Sequence, residues 1–82
     1  MNRFTINMKL GSGPSTIMVR TAKIINTQTK KPVAIVTEHE KLWEYALRVN
    51  KEKDIQADIY WLKPLEYNEK YHPFALTMDI NI

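Results

Sequence analysis

The chain predicts an α+β domain, mainly β, with element order βββαββ closing as a five-stranded antiparallel barrel or curled sheet with one helix. Three observations predict it. Apolar residues recur at period two near both ends, at Phe4, Ile6, Met8 and Leu10 and again at Phe74, Leu76, Met78, Ile80 and Ile82. Leu42, Trp43, Ala46 and Val49 repeat at helical spacing in the middle, with Glu40, Lys41, Glu44, Arg48 and Lys51 on the other face. Residues rich in Gly, Pro, Asn and Thr at 11–14 and 26–32 separate the runs as turns.

The first strand alternates Phe4, Ile6, Met8 and Leu10 against Arg3, Thr5, Asn7 and Lys9. A four-residue turn at 11–14 then sets Leu10 opposite Ser15, Met8 opposite Ile17 and Ile6 opposite Val19, so a second, antiparallel strand is expected from Ser15 onward. Ala22 and Ile24 continue its apolar set only with one extra residue near Arg20 and Thr21, which reads as a β-bulge. Val33, Ala34, Ile35 and Val36 form a short third strand. Thr37 followed by Glu40 has the spacing of a capping box, placing a helix start at Thr37 and its end near Asn50. Glu44 and Arg48 make a favourable i,i+4 pair on its surface. Ile55, Ala57, Ile59 and Trp61 alternate as a fourth strand that Pro64 stops, and the run after Pro73 is the fifth.

Eighty-two residues, 44% hydrophobic and 26% charged, suit one soluble globular domain spanning 1–82, with a single modest core. The absence of cysteine excludes a disulfide framework and cysteine-ligated zinc, and fits a reducing compartment. No apolar run approaches the ~18 residues of a membrane span, and the first ten residues alternate instead of forming a signal-peptide core. A cytoplasmic protein is the expectation, with no membrane partner.

Charge is unevenly placed along the chain. Residues 1–37 carry Arg3, Lys9, Arg20, Lys23, Lys30 and Lys31 and no carboxylate, a sum of +6, while the remainder carries six basic and nine acidic residues, a sum of −3. A one-signed segment of this kind attracts polyanions, and a phosphate backbone is the commonest one. The alternative is that carboxylates of the later part interleave with these cations in the fold.

The run LWEYALRVNKEKDIQADIYWLKP, the segment 67–73 and the terminal FALTMDINI follow one another as amphipathic helix, charged turn, strand, long loop and strand. This layout, over residues 33–82, resembles bacterial single-stranded-DNA-binding proteins of the OB-fold, a five-stranded Greek-key barrel. The resemblance implies an OB-like barrel that binds single-stranded nucleic acid, DNA or RNA. It departs from the family in two respects. No aromatic lies between Phe4 and Trp43, where the family stacks bases, and residue 82 is reached without an acidic tail.

On that reading Arg3, Lys9 and Arg20 share the outward phase of the first hairpin, with Lys23 further along it and Lys30 and Lys31 at the tip of the second. Tyr60, Trp61, Tyr67, Tyr71 and Phe74 cluster around the loop before the last strand. Tyr67 and Tyr71 are the candidates for stacking on bases, with Lys63 and Lys70 beside them for phosphates. The competing reading makes the lysines a solvated sheet face and edge protection, and makes Trp61 and Phe74 core anchors. The same tyrosine-rich loop also suits a protein partner, as in a small inhibitor or antitoxin-like module, and leaves formation of a homo-oligomer open.

Catalysis finds little support. His39 in the first helical turn and His72 before Pro73 are isolated, so no metal-ligand spacing exists. Residues 11–15, GSGPS, lack the Gly pattern of a phosphate loop and any lysine after it, and read as a turn. Asp54, Asp58 and Asp79 would lie on neighbouring strands as ordinary surface carboxylates. A non-enzymatic binding domain without cofactor or metal is expected.

Overall fold

The structure is a computed structural model that describes the backbone of residues 2–9 and 14–81 and the side chains of residues 15–77. Its elements are β1 (Asn2–Lys9), α1 (Pro14–Thr29), β2 (Val33–Val36), α2 (Glu40–Glu52), β3 (Ile59–Leu62), a 3-10 turn (Pro64–Glu66) and β4 (Phe74–Asn81). The four strands form one open sheet in the order β1-β4-β2-β3, and every pairing is parallel. Among the described residues this is a parallel open sheet with two helices, not a five-stranded antiparallel barrel with one.

The decisive difference lies at residues 14–29. The segment expected as a second strand with a bulge is α1, and no hairpin joins it to β1. The expected turn lies outside the described residues as far as residue 13, and Pro14 opens the helix. Proline is well placed there, because the first helical N–H has no intrahelical acceptor. Met18, Val19, Ala22 and Ile25 are buried, a helical repeat, whereas Ile17 and Ile24 of the expected strand face are 47% and 58% exposed. The hydroxyls of Thr21, Thr27 and Thr29 donate to the carbonyls of Ile17, Lys23 and Ile25, so these β-branched residues are accommodated within the helix. The helix runs through most of the expected 26–32 turn and closes at Lys30, whose φ of 61° puts it in the left-handed region and whose N–H donates to the Asn26 carbonyl at 2.8 Å.

β1 therefore pairs with β4, from Asn2 opposite Phe74 to Lys9 opposite Asn81. β4 also pairs with β2. All four residues of β2 are buried, as suits a short apolar strand in a parallel sheet covered on both faces. One face packs Val33, Ile35 and Leu76 against Met18, Val19, Ala22 and Ile25 of α1 and Leu42 and Ala46 of α2, with Phe74 and Ile59 at the margin. The other face packs Ala34, Val36 and Ala75 against Tyr60, Leu62 and Tyr67. From β1 to β2 to β3 the chain steps across the sheet in one direction with its helices on one face. From β3 to β4 it steps back, and Tyr67 in that connection covers the other face. Reversing direction and face together keeps the crossovers of one hand, as parallel connections require.

The capping box is also corrected. α2 starts at Glu40 with His39 at its cap position and no side-chain cap hydrogen bond. The Thr37 hydroxyl instead accepts the N–H of His39 at 3.1 Å, a local turn before the helix. Thr37 is 2% exposed because it extends the ladder of β2, its N–H donating to the Leu62 carbonyl and its carbonyl accepting Trp61 Nε1–H. The fourth strand begins later than expected, at Ile59, since Asp54 and Gln56 hold left-handed φ values of 49° and 59°. No helix among the described residues is long and apolar enough to cross a membrane.

Candidate functional site

An all-parallel sheet has two unlike ends, and ligands of open α/β sheets sit outside the carboxyl ends of the strands where successive connections leave on opposite faces. That point falls between β2 and β3: the chain leaves β2 toward α2 on the helical face and leaves β3 toward the other. A crevice of about 550 Å³ opens there, lined by Glu38, Lys63, Pro64, Leu65 and Glu66. Leu65 projects into solvent at 98% exposure. The Lys63 N–H donates to Glu66 Oε1 at 3.2 Å, and Lys63 Nζ lies 5.9 Å from the centroid of the Trp61 ring. Glu38 and Glu66 line the crevice with this one ammonium, so the crevice alone is no place for an anion.

The same edge of the sheet carries the junction of β1 with α1. β1 ends at Lys9, α1 begins at Pro14, and residues 11–16 between and within them read Gly-Ser-Gly-Pro-Ser-Thr. Residues 10–13 lie outside the described residues. Ser15, in the first turn of α1, is buried at 8% exposure.

Of the residues expected to bind nucleic acid, the described ones lie on several elements. Arg3 and Lys9 lie near opposite ends of β1, and their side chains are outside the described residues. Arg20 and Lys23 are exposed on α1, and the structure brings them together with Lys53 after α2. Lys30 and Lys31 are exposed in the link from α1 to β2, at the amino end of the sheet, instead of at a hairpin tip. Lys63 belongs to the carboxyl edge. Tyr67 is half-buried against the second face, while Lys70 and Tyr71 are exposed beyond it, with Lys70 Nζ 5.9 Å from the Tyr71 ring centroid. Among the described residues, the cations of the basic segment thus divide between α1 and the link after it, and at the α1 site Asp54 joins them.

Nor do the three aspartates meet. Asp54 and Asp58 precede β3 at the amino edge, whereas Asp79 lies near the carboxyl end of β4. His72 is not isolated: its Nδ1 is 2.8 Å from the Tyr60 hydroxyl, their rings tilted with centroids 5.6 Å apart. Burial, and secondarily the nearby Tyr67, pushes the Tyr60 hydroxyl above its ordinary pKa of 10.0. Sequence reasoning missed Lys53 as a partner of Arg20 and Lys23, because only the packing of α1 beside α2 brings them near. The 3.6-residue spacing of Met18, Val19, Ala22 and Ile25 was the available signal.

The chain matches no protein-family model, no curated protein and no solved structure.

Proposed function

We propose that this domain binds the phosphates of a nucleotide at the carboxyl edge of its sheet, and that it is a binding module and not an enzyme. The observation that carries the reading is the junction of β1 with α1: a strand of a parallel sheet passes through Gly-Ser-Gly-Pro-Ser-Thr into a 16-residue helix. Helix N-termini present unpaired N–H groups and the positive end of the helix dipole, and glycines ahead of them let a phosphate approach the backbone. This strand-to-helix context is what a hairpin turn at the same residues would lack.

Pro14 stands where a phosphate loop has its lysine. That position contributes neither an ammonium nor an N–H, so the charge that would stabilise a departing phosphate is missing and binding without turnover follows. Single-stranded nucleic acid keeps one supporting observation, the convergence of Arg20 and Lys23 with Lys53. No aromatic accompanies those cations for base stacking, so it is the weaker reading.

Calorimetric titration with ATP and ADP tests the proposal. Wild type should bind both. Pro14→Lys, which adds an ammonium in the first turn of α1, should tighten binding by about tenfold, or ~1.4 kcal/mol. Absence of binding by both wild type and a folded Pro14→Lys variant overturns the reading.

A further inference from the structure

A cleft of about 430 Å³ separates α1 from the turn after α2, at the end of the helical layer away from the nucleotide edge. It is lined by Arg20, Lys23 and Ile24 of α1 and by Lys53, Asp54 and Ile55 of the turn. We infer that this cleft docks an acidic peptide segment of a partner protein, one whose carboxylates alternate with aliphatic side chains.

The charge argument comes first. Three cations and one carboxylate line the cleft, and among the described residues neither Arg20 nor Lys53 has a side-chain hydrogen bond or ion pair. Lys23 Nζ donates to the Gln56 carbonyl at 3.3 Å, which holds its ammonium at the rim with two further protons to donate. The single carboxylate is engaged locally, since Asp54 Oδ1 accepts from Gln56 Nε2 at 3.0 Å. Such a rim selects an anionic partner and speeds its encounter.

The apolar argument selects among anions. Ile24 is 58% exposed and lies on the same face as Ile17, two helical turns earlier, which is 47% exposed. Ile24 and Ile55 give the cleft an aliphatic floor with no aromatic ring in its lining. Nucleic acid would meet phosphate-binding cations there but no platform for its bases. A peptide of alternating acidic and aliphatic residues satisfies both rim and floor.

The turn is also held in a shape it does not adopt cheaply. Asp54 and Gln56 both occupy the left-handed region without being glycine. The wall itself is tied to the end of α2 by the Asp54 N–H donating to the Lys51 carbonyl and the Ile55 N–H to the Asn50 carbonyl, and the chain just beyond it is held by the Asn50 and Asn26 carboxamides on Ala57 and Asp58. A preformed wall spares the ordering cost of binding.

The test uses fluorescence anisotropy with two labelled peptides of equal length and charge, one alternating glutamate with leucine and the other glutamate with serine. The leucine peptide should bind about tenfold more tightly than the serine peptide, equivalent to ~1.4 kcal/mol. Arg20→Glu with Lys53→Glu should abolish binding of both, and Ile24→Ser should erase the preference between them, with melting curves confirming that each variant is folded. ATP binding should be unchanged in all of them, which separates this inference from the proposed function. Equal affinity for the two peptides overturns it. Tighter binding of an oligothymidylate that the same charge reversal abolishes also overturns it, assigning the cleft to nucleic acid.

Discussion

The Asn26 side chain pairs with both backbone groups of Asp58, its Oδ1 accepting the Asp58 N–H at 2.7 Å and its Nδ2 donating to the Asp58 carbonyl at 3.1 Å. The same Nδ2 donates to the Lys31 carbonyl at 2.7 Å. Asn50 repeats the arrangement one residue earlier, Oδ1 accepting from the Ala57 N–H at 2.8 Å and Nδ2 donating to its carbonyl at 3.0 Å. Two carboxamides, one from each helix, thus hold the chain where it straightens from a left-handed turn into β3, and the Asp58 carbonyl also accepts the Val33 N–H of β2 at 3.0 Å. Backbone groups leaving such a turn need partners, and a carboxamide offers a donor and an acceptor at the spacing of a peptide unit.

Asn26→Ala and Asn50→Ala should each lower stability by about 1–2 kcal/mol in urea denaturation. Because both clamp the same short segment, the double variant should lose measurably less than the sum. Strict additivity would show that the two clamps act independently.

Lys30→Gly should raise stability by roughly 1 kcal/mol, because glycine adopts the left-handed conformation of this helix end without the Cβ conflict. Lys30→Val should lower it. Thermal melting of the two variants tests the left-handed conformation at this residue, and equal melting temperatures would contradict it.

Thr37→Ala should cost about 1 kcal/mol, since the buried hydroxyl accepts the His39 N–H, while Thr37→Ser should recover most of it. Glu40→Ala should change the melting temperature little. A large loss at Glu40 would restore the capping box.

Tyr60 gives the pH dependence. Its folded-state pKa is raised by burial above the unfolded value near 10.0, so the folded state holds the proton more tightly. The associated stability is complete below that pH and lost as pH rises through the folded-state value. Stability of the wild type should therefore fall more steeply on the alkaline side of that pH than that of Tyr60→Phe. The Phe variant should be the less stable at neutral pH because it loses the 2.8 Å bond to His72. Parallel alkaline curves for the two proteins would contradict the assignment.

Strands at Phe4 and Val33 and in the run after Phe74, and an amphipathic helix around Leu42 and Ala46, are all legible in the residues and present in the structure. Segment 15–25 is the one where local pattern allowed two answers. It has apolar residues at Ile17, Met18, Val19, Ala22, Ile24 and Ile25, which contain both a slipped period of two and a clean helical repeat, and its β-branched content favours the strand on propensity. Burial of Met18, Val19, Ala22 and Ile25 against Leu42 and Ala46 made it a helix, as packing outweighs propensity.

That one segment changed the site as well. With a strand at 15–24, Arg20 joins Arg3 and Lys9 on a hairpin and residues 11–14 are a turn. With a helix, Arg20 and Lys23 move beside Lys53, and the chain after β1 leads into a helix at the carboxyl edge of a parallel sheet. What this sequence determines by itself is local: where the chain is apolar at period two, where it is amphipathic at 3.6, and where charge accumulates. Which strands pair, and whether they run parallel, depends on residues far apart, β1 on β4 across most of the chain, and only the tertiary structure decides it. The energy that selects the pairing comes from apolar surface shared between distant segments, which no short window contains.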